Sequence, residues 1–313
     1  MAAWLRSRPG RAYLAGAPLL VAHRGGARLA PENTIPAFRS AVDDWGADVL
    51  EMDVRLTADG EVVVIHDATV DRTTDGSGRV ADLTLAGIRT LDAGHGFADL
   101  EGAPAFRGRD VRVPTFDEVL DACPHVWLNV EAKEHAVAAP LVEVVRRHGA
   151  EHRVLITAEL ERNRRGARGY VGPWGASRRD CMRFWLALRL PGGSVYTPAV
   201  DALQVPEFWR GRRVLTPRFV TEAHRRNIPV HVWTVDDPSD MRRFLSWGVD
   251  AVQSDRPDLL AEVLVDVAGR PPPPLSRRAV ARSATERSSG LADPSDTVAR
   301  DVAGSPPLGG AAP

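Results

Sequence analysis

Hydrophobic and polar positions alternate most cleanly over Val49-Leu50-Glu51-Met52-Asp53-Val54-Arg55-Leu56, with Leu50, Met52, Val54 and Leu56 on one face and Glu51, Asp53 and Arg55 on the other. A period of two predicts a strand. Around it the chain repeats a strand-then-helix rhythm. A first strand is expected from Pro18 to His23, followed by a helix in which Ile35, Phe38, Val42 and Trp45 recur near helical spacing and Asn33 or Thr34 caps the start. Downstream of the second strand, Val62-Val63-Val64-Ile65 is an apolar run that ends in His66-Asp67. A third strand is expected at Val126 to Glu131, with an amphipathic helix through Val137, Leu141, Val144 and Val145. A fourth falls at Val154 to Thr157, and a fifth at Arg168 to Gly172 before a helix from Ser177 to Leu188. A sixth is expected at Asp201 to Val205, a seventh at Pro229 to Val235 after a helix from Pro217 to Arg226, and an eighth at Val249 to Ser254 before a helix from Pro257 to Val267. Such alternation predicts a parallel sheet covered by helices, and eight units in about 250 residues suit an α/β fold, the (β/α)8 TIM barrel.

Three stretches break the rhythm. Residues 1–17 form an N-terminal extension whose apolar run is interrupted by Gly16 and Pro18, which argues against a signal peptide. Residues 68–113 carry Gly76, Gly78, Gly94, Gly96, Gly102 and Gly108 and are too long for an ordinary connection. They predict a small inserted subdomain after the second strand, above the barrel mouth. From residue 269 the chain runs through Pro271 to Pro274 into a Ser, Ala, Arg, Asp and Pro mixture that cannot bury anything, so 269–313 is expected to be a disordered tail. The barrel itself then spans residues 18–268.

Composition narrows the partners. A hydrophobic content of 44% over 313 residues supports one large core. The net charge of -1 makes no electrostatic case for nucleic acid or an acidic membrane surface, although basic residues can still cluster locally. No stretch approaches the roughly 18 apolar residues of a membrane helix, so no stable membrane insertion is expected. Cys123 and Cys181, the only cysteines, are too few for a disulfide framework and read as small core residues in a reducing, cytoplasmic protein.

Chemistry gathers at the carboxyl ends of the first three strands, where a barrel places its active site. Alone, Glu51 and Asp53 also fit a solvated strand edge. Glu131 arriving from the third strand completes a set of hard oxygen donors with no cysteine, which favours Mg²⁺ or Ca²⁺. His23 and His66 end strands beside these carboxylates and supply two groups that titrate near neutrality, as proton transfer to and from a reacting oxygen requires. The remaining histidines read as structural. Lys133 is the only lysine among 40 basic Lys and Arg residues. Drift at a surface position would explain it, but a compact ammonium beside a metal is a role that arginine fills poorly. Arg24 is placed to clamp phosphate oxygens in bidentate fashion.

His23-Arg24-Gly25-Gly26, Pro31-Glu32-Asn33-Thr34, Glu51-x-Asp53, His66-Asp67, Asp71-Arg72-Thr73-Thr74-Asp75-Gly76-x-Gly78, Asn129-Val130-Glu131-x-Lys133, Val232-Trp233-Thr234-Val235, Gly248-Val249-Asp250 and Ser254-Asp255-Arg256-Pro257 together resemble the glycerophosphodiester phosphodiesterase family. The likeness runs in order from about Pro18 to Leu264. It implies a metal-dependent hydrolase that splits a small-molecule glycerophosphodiester into an alcohol and sn-glycerol 3-phosphate. By the family pattern Glu51, Asp53 and Glu131 are the metal ligands, His23 and His66 the acid/base pair, Arg24 and Lys133 the phosphate contacts. Glu32 and Asn33 belong to the loop beneath the phosphate, and Trp233 forms an apolar wall near the glycerol. The chain departs from that pattern after the fourth strand, where Thr157-Ala158-Glu159 stands in place of a Ser-Phe pair. Two other readings remain open: a lysophospholipase D-type enzyme acting on acylated substrates, and a barrel that binds phosphate esters without turning them over. Oligomeric state is not legible.

Overall fold

The structure, a computed structural model, describes residues 18–190 and 196–276, together with Gly16. The rest of the expected N-terminal extension, and the tail from residue 277 onward, lie outside the described residues. Ten strands occur among them: β1 (Leu19–Ala22), β2 (Val49–Leu56), β3 (Val62–Val64), β4 (Trp127–Ala132), β5 (Val154–Thr157), β6 (Leu203–Val205), β7 (Phe208–Trp209), β8 (Arg212–Arg213), β9 (Val230–Val232) and β10 (Ala251–Ser254). The α-helices are α1 (Ile35–Asp43), α2 (Leu85–Ile88), α3 (Phe116–Ala122), α4 (His135–Arg147), α5 (Glu161–Arg164), α6 (Arg178–Ala187), α7 (Pro217–His224), α8 (Pro238–Ser246) and α9 (Pro257–Ala268).

Seven strands run in parallel in the order β5-β4-β2-β1-β10-β9-β6. The gap between β5 and β6 is closed by two parallel bridges, Ile156 with Trp174 and Gly175 with Ala202. Eight strand positions therefore complete the TIM barrel. The fifth is not at Arg168 to Gly172, as the pattern suggests, but at Trp174-Gly175, and the backbone N–H of Gly175 donates to the Ile156 carbonyl at 2.9 Å. Arg168 and Gly169 instead lie in a turn directly after a 3-10 segment at Arg165–Ala167. Of the four helices with no counterpart in the sequence reading, α2, α3, α5 and α8, the longer two, α3 and α8, start at capping groups: Thr115 with Glu118 in a capping box, and Asp237 before Pro238.

Alternation along the strands sorts the interior into layers. Leu50, Met52 and Val54 face outward into the core shared with the helices. Leu19, Val21, Val49 and Ala251 pack with Trp127 as an apolar floor inside the barrel. Above that floor the inward positions turn polar, which is what opens a mouth at the carboxyl ends.

The long connection leaves and returns at one place. β3 pairs antiparallel with β2, and Val63 bridges Thr115 where the chain comes back. Between them Val63, Ile65, Val70, Val80, Ile88, Ala93, Val111 and Val113 form a small core of their own. After α9, Gly269 closes the helix in the left-handed region at φ 65. Arg270 Nη2 then holds Asp48 Oδ1 at 2.9 Å, and Leu275 N–H donates to the Asp44 carbonyl at 2.9 Å. Residues 269–275 of the expected tail are thus held against the barrel, because a carboxylate at the foot of β2 anchors them.

Candidate active site

The seven expected polar site residues meet in one cavity. His23, Arg24, Glu51, Asp53, His66, Glu131 and Lys133, together with Trp233, line a cleft of about 350 Å³ at the barrel mouth. Carboxylate oxygens of Glu51, Asp53 and Glu131 lie within 4.8 Å of one another. Glu51 and Asp53 come from alternate positions of β2, while register places Glu131 of β4 directly beside Asp53.

The turn after β1 is built to aim at these carboxylates. Arg24 sits in the left-handed region at φ 50, and its backbone N–H donates to Glu51 Oε2 at 3.0 Å. Gly25 follows at φ 83, and a Cβ there would come within 2.8 Å of the Ala37 Cβ, so only glycine lets the turn press onto α1. Of the two candidate caps for α1, Thr34 serves, accepting from the Ala37 N–H at 3.4 Å. Asn33 turns away at φ 59 and brackets Asp53, donating from Nδ2 at 3.1 Å and accepting from the Asp53 N–H at 3.3 Å.

Each imidazole is held by a carboxylate on Nδ1. His23 Nδ1 lies 2.7 Å from Asp255 Oδ1, and its Nε2 is 3.9 Å from Glu51. His66 Nδ1 lies 2.6 Å from Asp67 Oδ1. Fixing Nδ1 of each ring leaves Nε2 as the nitrogen available for proton transfer. Burial works to lower the His23 pKa, but the charge of Glu51 and the Asp255 contact outweigh it and the group is raised.

Opposed electrostatics set the two β2 carboxylates apart. Burial, and then the neighbouring Asp53 charge, push Glu51 upward. Burial works in the same direction on Asp53, yet Lys133 and then Arg24 hold it below the usual carboxylate range. Lys133 Nζ sits 3.3 Å from Asp53 Oδ1 and 3.2 Å from Glu131 Oε2. Arg24 Nε is 3.2 Å from Asp53, and its Nη1 donates to Glu32 at 3.0 Å.

Several contributors were not singled out from sequence. Arg72, from the insertion, clamps Glu32 through both terminal nitrogens at 2.7 and 2.9 Å and reaches Asp67 through Nε at 2.6 Å. Arg55 supports the same histidine by donating from Nε to the His66 carbonyl at 2.9 Å. Where the Ser-Phe pair is replaced, Thr157 and Glu159 line the cavity, and the Glu159 N–H donates to Glu131 Oε1 at 3.3 Å. The far wall is apolar, made by Met182, Trp185, Trp209, Val214 and Trp233. Cys123 is a buried core residue as expected, whereas Cys181 also forms part of the cavity wall. His231 is fully buried with neither ring nitrogen hydrogen-bonded among the described residues.

A TIM barrel whose mouth unites three carboxylates, two carboxylate-held imidazoles and two cations defines the class of barrel hydrolases that act on phosphate esters. The chain belongs to the glycerophosphoryl diester phosphodiesterase family, whose model matches residues 23–156 and 187–259. It is 33% identical over 267 residues to the glycerophosphodiester phosphodiesterase of Caldanaerobacter subterraneus subsp. tengcongensis, covering 79% of this chain and 97% of that protein. The crystal structure of glycerophosphodiester phosphodiesterase from Agrobacterium tumefaciens is similar with a TM-score of 0.64 at 28% identity, over 78% of this chain and 99% of that one. An Oleispira antarctica phosphodiesterase, solved in complex with the product sn-glycerol-3-phosphate, is alike in fold with a TM-score of 0.63 at 24% identity, over 79% and 97% of the two chains. This chain is thus a glycerophosphodiester phosphodiesterase by family, and among the described residues no helix is long and apolar enough to cross a membrane.

Proposed function

We propose that the protein hydrolyses glycerophosphodiesters to an alcohol and sn-glycerol 3-phosphate, using a divalent cation, Mg²⁺ or Ca²⁺, held by Glu51, Asp53 and Glu131. The observation that carries this reading is the convergence of those three carboxylates, within 4.8 Å, between His23 and His66 in one cavity. The donor set is hard oxygen only, which suits either ion. Glu51, raised by burial beside Asp53, is a site that a cation would relieve. When bound, the cation neutralises phosphate oxygens and makes phosphorus more open to attack.

The chain's own residues do the rest. Arg24 and Lys133 hold the phosphate and draw off its charge. One imidazole takes the proton from the nucleophile at Nε2, and the other delivers a proton to the departing alkoxide oxygen. The nucleophile is either water, which gives glycerol 3-phosphate directly, or the glycerol 2-hydroxyl, which expels the alcohol to form a cyclic phosphate that a water then opens to glycerol 3-phosphate. Trp233 closes one side against the glycerol. The product matches the one bound by the Oleispira antarctica phosphodiesterase. Two free thiols, Cys123 and Cys181, suit a reducing compartment, and we place the protein in the cytoplasm.

A second reading is favoured by the apolar far wall: acylated glycerophosphodiesters, with Met182, Trp185 and Trp209 accommodating part of the chain. To test both, glycerophosphocholine and a lysophosphatidylcholine are incubated with purified protein, with and without EDTA and with Mg²⁺ or Ca²⁺ restored. The expected outcome is release of glycerol 3-phosphate that EDTA abolishes and one of the ions restores. Turnover insensitive to chelation, or a His66→Ala variant with full rate, would overturn the reading. Faster turnover of the lysolipid would favour the second.

A further inference from the structure

Large apolar side chains that stay exposed are concentrated on one rim of the cavity. Among the described residues nine are exposed, and five of them stand here: Met182, Leu186, Leu190, Phe208 and Trp233. Met182, Leu186 and Leu190 are spaced four apart along α6 and just past its end, so they form one stripe, 39% to 65% exposed. Phe208, half exposed, stands on the β7–β8 hairpin. Trp185 Nε1 donates to the Arg213 carbonyl at 3.2 Å, which ties α6 to that hairpin. Met182, Trp185, Trp209 and Trp233 also wall the cavity, so stripe, hairpin and mouth form one border.

Charge on this border departs from the rest of the chain. Residues 178–190 and 207–213 hold seven arginines against two carboxylates, Asp180 and Glu207, in a protein of net charge -1. Arg178 pairs with Glu159 at 3.1 Å and Arg213 with Glu207 at 3.3 Å. Arg179, Arg210 and Arg212 are exposed, and among the described residues none has a carboxylate within ion-pair distance. Arg210 lies over the Trp209 ring at 4.9 Å from its centroid, and Arg189 over Trp185 at 3.4 Å. Surplus guanidinium interleaved with exposed indole, phenyl and leucine side chains is the make-up of a surface that meets lipid. The apolar groups enter the acyl boundary, and the guanidinium groups bind headgroup phosphates.

We propose that α6 and the β7–β8 hairpin dock the protein reversibly on an anionic phospholipid surface, with the cavity mouth at the lipid. A near-zero net charge conceals this, because the acidic residues that balance the seven arginines lie elsewhere. Docking of this kind is peripheral and needs no spanning helix.

The test mixes the full chain with vesicles of phosphatidylcholine, with or without phosphatidylglycerol, and follows it by flotation. Binding is expected to the phosphatidylglycerol vesicles and to weaken as salt rises. The pairs Leu186→Ser with Phe208→Ser, and Arg210→Glu with Arg212→Glu, are expected to bind at least about tenfold more weakly. None of the four lines the cavity, so their turnover of soluble glycerophosphocholine should be unchanged. Circular dichroism melts check that each variant folds. Wild-type protein that stays with the soluble fraction at low salt overturns the proposal, as does undiminished binding by both folded variants. Turnover of the soluble diester without vesicle binding removes docking alone; binding without turnover of any diester supports docking and removes the hydrolytic reading. If the variants instead abolish a dimer of wild-type protein that ignores lipid, the rim is a contact between copies and the proposal fails.

Discussion

Two carboxylates on one strand face repel unless something answers their charge, and Glu51 and Asp53 are answered differently. Asp53 has Lys133, Arg24 and Asn33, whereas Glu51 has only the Arg24 backbone N–H and the His23 ring nearby. The imidazoles depend in turn on Asp255 and Asp67. Replacing Asp255→Asn keeps the side-chain shape but can fix the wrong His23 tautomer, so kcat on glycerophosphocholine should fall about 10- to 100-fold with KM nearly unchanged. Steady-state kinetics on the folded variant check this, and an unaltered kcat would mean that His23 needs no such partner. Alternation put Glu51 and Asp53 on one strand face, which a solvated edge would also fit, and it was Glu131 at the end of the next strand that made the three legible as one cluster at the barrel mouth. Asp255 was not legible, since 232 positions separate it from His23 and only closure of the barrel, pairing Ala22 with Ser254, brings them together. His231 belongs to the same scale. Burial, opposed by Asp250, lowers its pKa to about 4. The unfolded chain therefore binds a proton that the folded chain refuses between pH 6.5 and about 4, and stability must fall as pH drops through that window. The loss is on the order of 3 kcal/mol, and His231→Met should flatten that part of the curve in urea melts at pH 7 and pH 4.5. Parallel curves for the two proteins would refute the assignment.

Elements differ in how much of their identity local sequence carries. α4 and α7 declare themselves by apolar spacing, and β2 by alternation. The fifth barrel position does not, because it amounts to two bridged residues, Trp174 and Gly175, between Pro173 and Ala176. No period can be read from two residues, and the apparent strand at 168–172 competes with a turn. Gly175 explains why so short a segment closes the ring. A Cβ there would lie 2.6 Å from the Thr157 Cβ and 2.7 Å from Gln204 Oε1, so only a bare backbone fits between β5 and β6. Gly175→Ala must push both neighbours apart, at a cost of about 1–3 kcal/mol. Thr157 and Gln204 also line the cavity. The variant is thus expected to lose thermal stability and turnover together, measured by calorimetry and by initial rate. Retained stability would place the tolerance in the loop before Trp174.

At the scale of the molecule, the barrel and the insertion are joined both by β3 and by one polar bridge. Val63 of β3 and Ile65 just after it enter the small core of the insertion, while the pairing of β3 with β2 belongs to the barrel. Arg72 spans from the insertion to Glu32 on the first loop and to Asp67 beside His66. Composition led to the expectation that residues 68–113 form an insertion, since their glycines and polar residues break the barrel rhythm. The insertion's place after the second strand put it above the barrel mouth, but nothing singled out Arg72, because one arginine among many has no distinguishing pattern. A core of eight buried residues has little reserve, so local opening there should precede unfolding of the barrel. Ile88 is fully buried in it, and Ile88→Ala should cost about 2–5 kcal/mol through lost contacts and a residual cavity. Hydrogen exchange should then rise across the insertion while the barrel strands β1, β4 and β10 stay protected. With Arg72 no longer held, Asp67 loses its second partner and His66 its fixed orientation, so kcat should fall even though Ile88 lies outside the cavity lining. The comparison that decides this is Arg72→Gln, whose half-exposed side chain contributes little to folding. It should reproduce the loss of kcat without the change in exchange. If Ile88→Ala speeds exchange in the barrel and the insertion alike, the two unfold as one unit and Arg72 is not the route between them.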